Sequence, residues 1–171
     1  MNPLSRETLK GVWGTLLLPL HDDDSIDFEL LEQELHHLVA AGVAGIYSNG
    51  SAGEFWTQTD DEFDQINGLL ADVCAKANMP FQIGANATSP QATLGLVQRV
   101  RGLRPSGMQV ILPDWLPVGV NEAITFLSRL AMETDGIPLI LYNPPHAKPL
   151  LNSAEILELI TAVPEVIGIK V

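Results

Sequence analysis

The chain has 171 residues, 46% of them hydrophobic, and carries a formal net charge of −12. That apolar fraction supplies one ordinary core and makes a single domain the expectation, while the excess of carboxylates excludes nucleic acid and an anionic membrane surface as natural partners. Cys74 is the only cysteine, which excludes an internal disulfide framework and fits a reducing compartment.

Residues 1–15 mix Arg6, Glu7 and Lys10 with polar side chains and contain no apolar stretch of the kind a secretory leader needs. No run approaches the ~18 apolar residues of a membrane span, so a cytoplasmic protein is expected. Residues 11–20 then read as the first buried strand. Residues 27–41 have helical period, with Phe28, Leu31, Leu35, Leu38 and Val39 on one stripe. A second strand over 45–50 is followed by Thr59, Asp60, Asp61 and Glu62, a cap with an acidic first turn. The third strand, 80–86, leads to Ser89 and Pro90, with proline at the first helical position. Strands over 108–113 and 138–144 precede helices opened by Asn121-Glu122 and Asn152-Ser153, and 166–171 is a sixth apolar run.

Near-continuous hydrophobicity in each run suits parallel strands covered by helices, and a βα unit recurring about every 25 to 35 residues suits a barrel or a doubly wound sheet. Length alone favours the open sheet, because a full barrel needs eight strands and ~250 residues. The last strand argues the other way: it would be left with a bare edge and no covering helix. The chain is therefore expected to be the amino-terminal portion of a longer protein.

Three places carry potential chemistry. Lys170, one of four lysines, sits in a run that otherwise wants burial, where an ammonium is costly and a neutral amine could attack a carbonyl. The competing account is a lysine that snorkels to water or pairs with a carboxylate. Tyr142 ends the fifth strand just before Asn143, Pro144 and Pro145, and serves either as a proton shuttle or as an aromatic plug. The turn 50–54, Gly-Ser-Ala-Gly-Glu, follows the second strand; its glycines let amides converge on a carboxylate, or simply make a strand-to-helix turn. His36 and His37 lie in mid-helix, His21 with Asp22, Asp23 and Asp24 reads as a solvated turn, and His146 and Lys148 follow Tyr142 in a loop. No zinc or phosphate-loop spacing occurs.

Taken together and in this order, Gly50, Ser51, Gly53 and Glu54, the pair Tyr142-Asn143, and Gly168-Ile169-Lys170 resemble the dihydrodipicolinate synthase and N-acetylneuraminate lyase family. The resemblance runs from residue 11 onward and implies an α/β fold, the (β/α)8 barrel. Residues 1–171 would be roughly its first six strands, ending at the strand that carries the Schiff-base lysine. It implies a class I lyase in which Lys170 attacks the ketone of pyruvate or a similar 2-oxo acid. Tyr142 would shuttle the proton, and the amides of Ser51 and Ala52, after Gly50, would hold the carboxylate. It further implies no metal or other cofactor, a small-molecule 2-oxo acid as partner, and a homo-oligomer, either a tetramer or a dimer.

Three positions depart from the family pattern. Ala52 stands where a second hydroxyl residue is common, so Ser51, water or substrate must relay protons. Trp115 replaces the tyrosine of the synthase branch, and Ala147, between His146 and Lys148, replaces its arginine. A sugar-acid aldolase or dehydratase with an aromatic wall at Trp115 and a contact from His146 is therefore preferred to the synthase proper. A catalytically idle member serving binding or assembly, and an unrelated doubly wound domain, are the competing readings.

Overall fold

Each apolar run contracts to a short strand in the computed structural model, which describes residues 1–171. The strands are β1 (Trp13–Thr15), β2 (Gly45–Ser48), β3 (Phe81–Gly84), β4 (Gly107–Ile111), β5 (Leu139–Tyr142) and β6 (Val166–Lys170). Between them lie α1 (Phe28–Ala40), α2 (Asp60–Ala77), α3 (Pro90–Val100), α4 (Val120–Ala131) and α5 (Ser153–Ala162). β1 is much shorter than the run 11–20, because the Leu17 N–H turns away to the Glu34 carboxylate on α1 at 2.9 Å and Pro19 has no N–H to give.

The helix starts follow local chemistry. Asp27, Thr59, Ser89 and Asn152 each accept an N–H of the first turn, and Thr59 with Glu62 closes a reciprocal capping box; such a cap stabilises by roughly 1 kcal/mol. The fourth helix differs from expectation. It begins at Val120 after Gly119, and the Glu122 carboxylate accepts the Gly119 N–H at 2.7 Å.

All five strand pairings are parallel, and the order is β1-β2-β3-β4-β5-β6 without reversal. That order excludes the doubly wound sheet that length favoured, since such a sheet reverses its strand order at a switch point. The sheet is instead a half-barrel. Its outer face carries Ile46, Phe81, Ile83, Met108, Val110, Leu139 and Leu141, fully buried in one core with Leu31 and Leu35 of α1, Leu70 of α2, Val97 of α3, Leu127 of α4 and Leu159 of α5. Each such side chain is worth roughly 1.5–3 kcal/mol.

The period of two sends the alternate residues inward. Register places Thr15 beside Tyr47 and Tyr47 beside Gln82, then Gly84, Gln109, Ile140 and Gly168 in a second row, and Ile111, Tyr142 and Lys170 in a third. Strand periodicity thus delivers Tyr142 and Lys170 to the same face and level. At the opposite end, residues 1–12 cross beneath the sheet, with the Leu4 N–H on the Ser106 carbonyl and Arg6 Nη2 on the carbonyls of Ile160 and Val166.

Candidate active site

The site begins with two neighbouring strand ends. Tyr142 and Lys170 are direct partners across β5 and β6, and the Asn143 N–H donates to the Lys170 carbonyl at 2.8 Å, locking the two ends together. The Asn143 carboxamide also donates to and accepts from the Leu151 backbone, both at 3.1 Å, which fixes the loop leaving β5. Tyrosine and asparagine therefore divide the work, one facing the site and the other holding its frame.

Lys170 Nζ lies 4.1 Å from the centre of the Tyr142 ring and 4.3 Å from that of the Tyr47 ring. Two aromatic faces thus flank the nitrogen. Gly50 completes the enclosure. A Cβ there would stand 3.0 Å from the Tyr47 ring and 3.2 Å from Nζ, so a side chain at position 50 would crowd the amine and the ring, and glycine lets the turn sit against both without displacing them.

From that turn, Ser51 Oγ reaches the Tyr142 hydroxyl at 3.1 Å, a direct hydroxyl pair that gives a proton a path despite the methyl group at Ala52. The Gly53 and Glu54 amides close the turn onto the carbonyls of Gly50 and Ser51. The Ser51 and Ala52 amides are not used in any of these internal bonds, and they are the two the family resemblance assigns to a substrate carboxylate. Gly53 is required because a Cβ would sit 2.8 Å from the Leu16 carbonyl oxygen.

Below the site the half-barrel encloses a trough of about 350 Å³, lined among others by Trp13, Tyr47, Gln82, Gln109, Ile140 and Lys170. A cleft of equal volume lies between α2 and α3, edged by Asp60, Asn86 and Arg99 and without the lysine. Cys74 is buried in the core, where desolvation pushes its thiol up to about 12, so it offers no nucleophile at neutral pH.

The structure gathers Lys170, Tyr142, Ser51 and Gly50 into one group, with Ala52 exposed on the same turn. It does not bring Trp115 or His146 into that group. Trp115 is 85% exposed in the loop after β4, between Pro113 and Pro117, and His146 is exposed in the loop after β5. Sequence reasoning missed Tyr47, which the inward period of β2 could have revealed. It also missed a buried carboxamide cluster of Asn49, Asn67 and Asn86 behind the turn. Asn67 interrupts the apolar stripe of α2 formed by Phe63, Ile66, Leu70 and Cys74, and that interruption was the available signal.

Comparison with known proteins gives a concordant result. The family model of the dihydrodipicolinate synthetase family matches residues 8–171. A 4-hydroxy-tetrahydrodipicolinate synthase of Acidiphilium cryptum is 26% identical over 94% of this chain and 54% of its own length. An N-acetylneuraminate lyase of Rhizobium meliloti is 28% identical over 95% of this chain and 53% of its own. Among solved structures, YagE from E. coli K12, a prophage protein of the dihydrodipicolinic acid synthase family solved with pyruvate, superposes with a TM-score of 0.86 at 26% identity, covering 95% of this chain and 54% of that one. The chain spans about half the length of the relatives it matches.

Proposed function

The chain belongs to the dihydrodipicolinate synthetase family, and from that premise we propose that it carries the Schiff-base site of a lyase acting on pyruvate or another 2-oxo acid. The observation that carries this reading is the position of Lys170 Nζ between two tyrosine rings and against Gly50, with the Tyr142 hydroxyl bonded to Ser51.

In this mechanism the neutral amine adds to the C2 ketone, and its proton passes to the ketone oxygen to give a carbinolamine. Protonation of that hydroxyl through Tyr142 expels water and leaves a protonated imine. In a 2-oxo-4-hydroxy acid, removal of the 4-hydroxyl proton along the Tyr142–Ser51 pair lets the C3–C4 bonding electrons flow into the imine, releasing an aldehyde and an enamine. Protonation at C3 and hydrolysis then return the amine and pyruvate. Dehydration uses the same imine, with loss of a C3 proton and departure of the 4-hydroxyl as water. The unengaged Ser51 and Ala52 amides hold the carboxylate, at a distance from the carbanionic centre set by the turn.

Trp115 and Ala147, in place of the synthase tyrosine and arginine, favour a sugar-acid aldolase or dehydratase over the synthase proper. The exposed Trp115 and His146 lie in the loops after β4 and β5, at the end of the sheet where a substrate tail would emerge. A homo-oligomer belongs to the same proposal and is read by light scattering. Ala52 favours one competing account, an idle member of the family. Incubation with pyruvate and borohydride separates the two: the lyase gains one reduced pyruvyl adduct on the peptide containing Lys170. Absence of an adduct, or its appearance on Lys10, Lys76 or Lys148 instead, overturns the assignment. Release of pyruvate from a panel of 2-oxo-3-deoxy sugar acids then identifies the substrate.

A further inference from the structure

A turn that binds a carboxylate through its amides must hold those amides still, and what holds this one lies beneath it. Asn67, in the middle of α2, is fully buried. Its Oδ1 accepts from Ser48 Oγ at 2.7 Å and from Asn49 Nδ2 at 3.2 Å, and its Nδ2 donates to the Phe63 carbonyl at 2.7 Å. Ser48 ends β2 and Asn49 leads directly into Gly50. Asn49 has a φ of +53°, a left-handed conformation that asparagine tolerates better than most residues. Its carbonyl accepts from Asn86 Nδ2 at 2.7 Å, and its own Nδ2 also reaches the Gly84 carbonyl at 3.3 Å. A Cβ on Gly84 would run into that Asn49 carbonyl.

Asparagine is a poor choice for a helix interior, and burying a carboxamide is costly unless it is bonded. The residues around it on the same helix face, Phe63, Ile66, Leu70 and Cys74, are apolar and buried. Stability alone calls for a leucine at position 67. Two of the three bonds of Asn67 instead tie the side chains of Ser48 and Asn49, on the N-terminal side of the turn, to α2, and the third, to the Phe63 carbonyl one helical turn back, fixes the carboxamide itself.

We infer that Asn67 is a positioning residue for the carboxylate-binding turn, acting through Ser48 and Asn49 and touching no substrate itself. The inference rests on the proposed Schiff-base reading for its consequence in turnover, and on the hydrogen bonds alone for its consequence in the turn.

The test measures borohydride trapping against pyruvate concentration for the full chain and for Asn67→Leu and Asn67→Asp. Asn67→Leu raises the half-saturating pyruvate concentration about tenfold while the trapping rate at saturation stays within about threefold. Asn67→Asp keeps an oxygen for both accepted bonds but sets its second oxygen against the Phe63 carbonyl, so it recovers part of the shift and gives a half-saturating concentration between those of the parent and Asn67→Leu. Amide hydrogen exchange supplies a second measurement that needs no chemistry. In Asn67→Leu the Gly53 and Glu54 amides exchange about tenfold faster, while those of Val110 and Leu141 in the central strands keep their parent rates. An unchanged half-saturating concentration overturns the inference, as does exchange that rises equally at all four amides, the mark of a merely structural residue. Failure of the parent to take pyruvate sinks the Schiff-base reading alone, and the exchange contrast then decides for or against Asn67.

Discussion

Two glycines at opposite ends of the half-barrel do the same steric job for different ends. At the mouth, Gly50 leaves room for Lys170 Nζ and the Tyr47 ring; at the floor, Gly168, in the same strand as Lys170, leaves room for the Leu9 side chain, which a Cβ would strike. One absent side chain admits the Lys170 amine and the other admits an apolar plug. The surroundings differ accordingly. The mouth is built from hydroxyls, amides and a left-handed asparagine, whereas the floor is closed by Leu4, Leu9 and an Arg6 guanidinium laid on two carbonyls. The comparison teaches that chemistry and closure are separable in this sheet, as in barrels generally, where the C-terminal ends of the strands carry function and the N-terminal ends carry stability.

The separation is tested most strongly at Tyr142. Tyr142→Phe keeps the ring against Lys170 and removes only the hydroxyl bonded to Ser51. Trapping of pyruvate is expected to slow about 10²- to 10³-fold, the range for loss of a positioned acid–base group, with the thermal midpoint within a few degrees of the parent. A fall in midpoint large enough to account for the lost activity would show that mouth and floor are not separable. Gly50→Ala is next. Its Cβ meets Tyr47 and Nζ at 3.0 and 3.2 Å, contacts that a small shift of a half-buried side chain relieves, so a loss of about tenfold in trapping is expected with little change in stability. Normal trapping by this variant would remove Gly50 from the site.

Gly168→Ala should do the reverse. The new Cβ displaces the tip of Leu9, for a stability loss of about 1–2 kcal/mol read from urea unfolding, while the half-saturating pyruvate concentration does not move. Leu9→Ala in the same chain should recover part of that loss, because the two groups compete for one space. Strict additivity of the two changes would show that the plug is not what Gly168 accommodates.

The sequence was most informative where the physics is local. Apolar runs ending at Tyr142 and Lys170 marked two strand ends, and caps at Asp27, Thr59, Ser89 and Asn152 need only their own first turns. The fourth cap slipped to Gly119 because the glutamate three residues later, and not the asparagine, supplies the bond. Length misled about sheet topology, which depends on strand order. The support of the turn was least legible, since Asn67, Asn49 and Asn86 come from α2, the end of β2 and the loop after β3 and meet only in the folded chain. Trp115 shows the converse. A family position pointed to it, yet its side chain stands in water.

The smallest effect concerns how each end is tied down against pH. The floor tether is the Arg6 guanidinium, laid on the carbonyls of Ile160 and Val166. The mouth tether is Glu34, whose carboxylate takes the Leu17 N–H at 2.9 Å just beyond β1. Burial raises the Glu34 pKa and outweighs the opposing effect of that N–H. A carboxyl raised in the folded state contributes its full stability below its unfolded value of about 4.3 and loses it as pH climbs through the folded value. Glu34→Gln keeps an acceptor for Leu17 and removes the titration. Its stability relative to the parent should therefore be lowest in acid and rise toward neutral pH. The gain stays well below 1 kcal/mol because Glu34 is only half-buried and water screens its charge. Urea midpoints at pH 4 and pH 7 measure it. A gain at pH 7 no larger than that at pH 4 would mean that the tether at the mouth does not respond to protons.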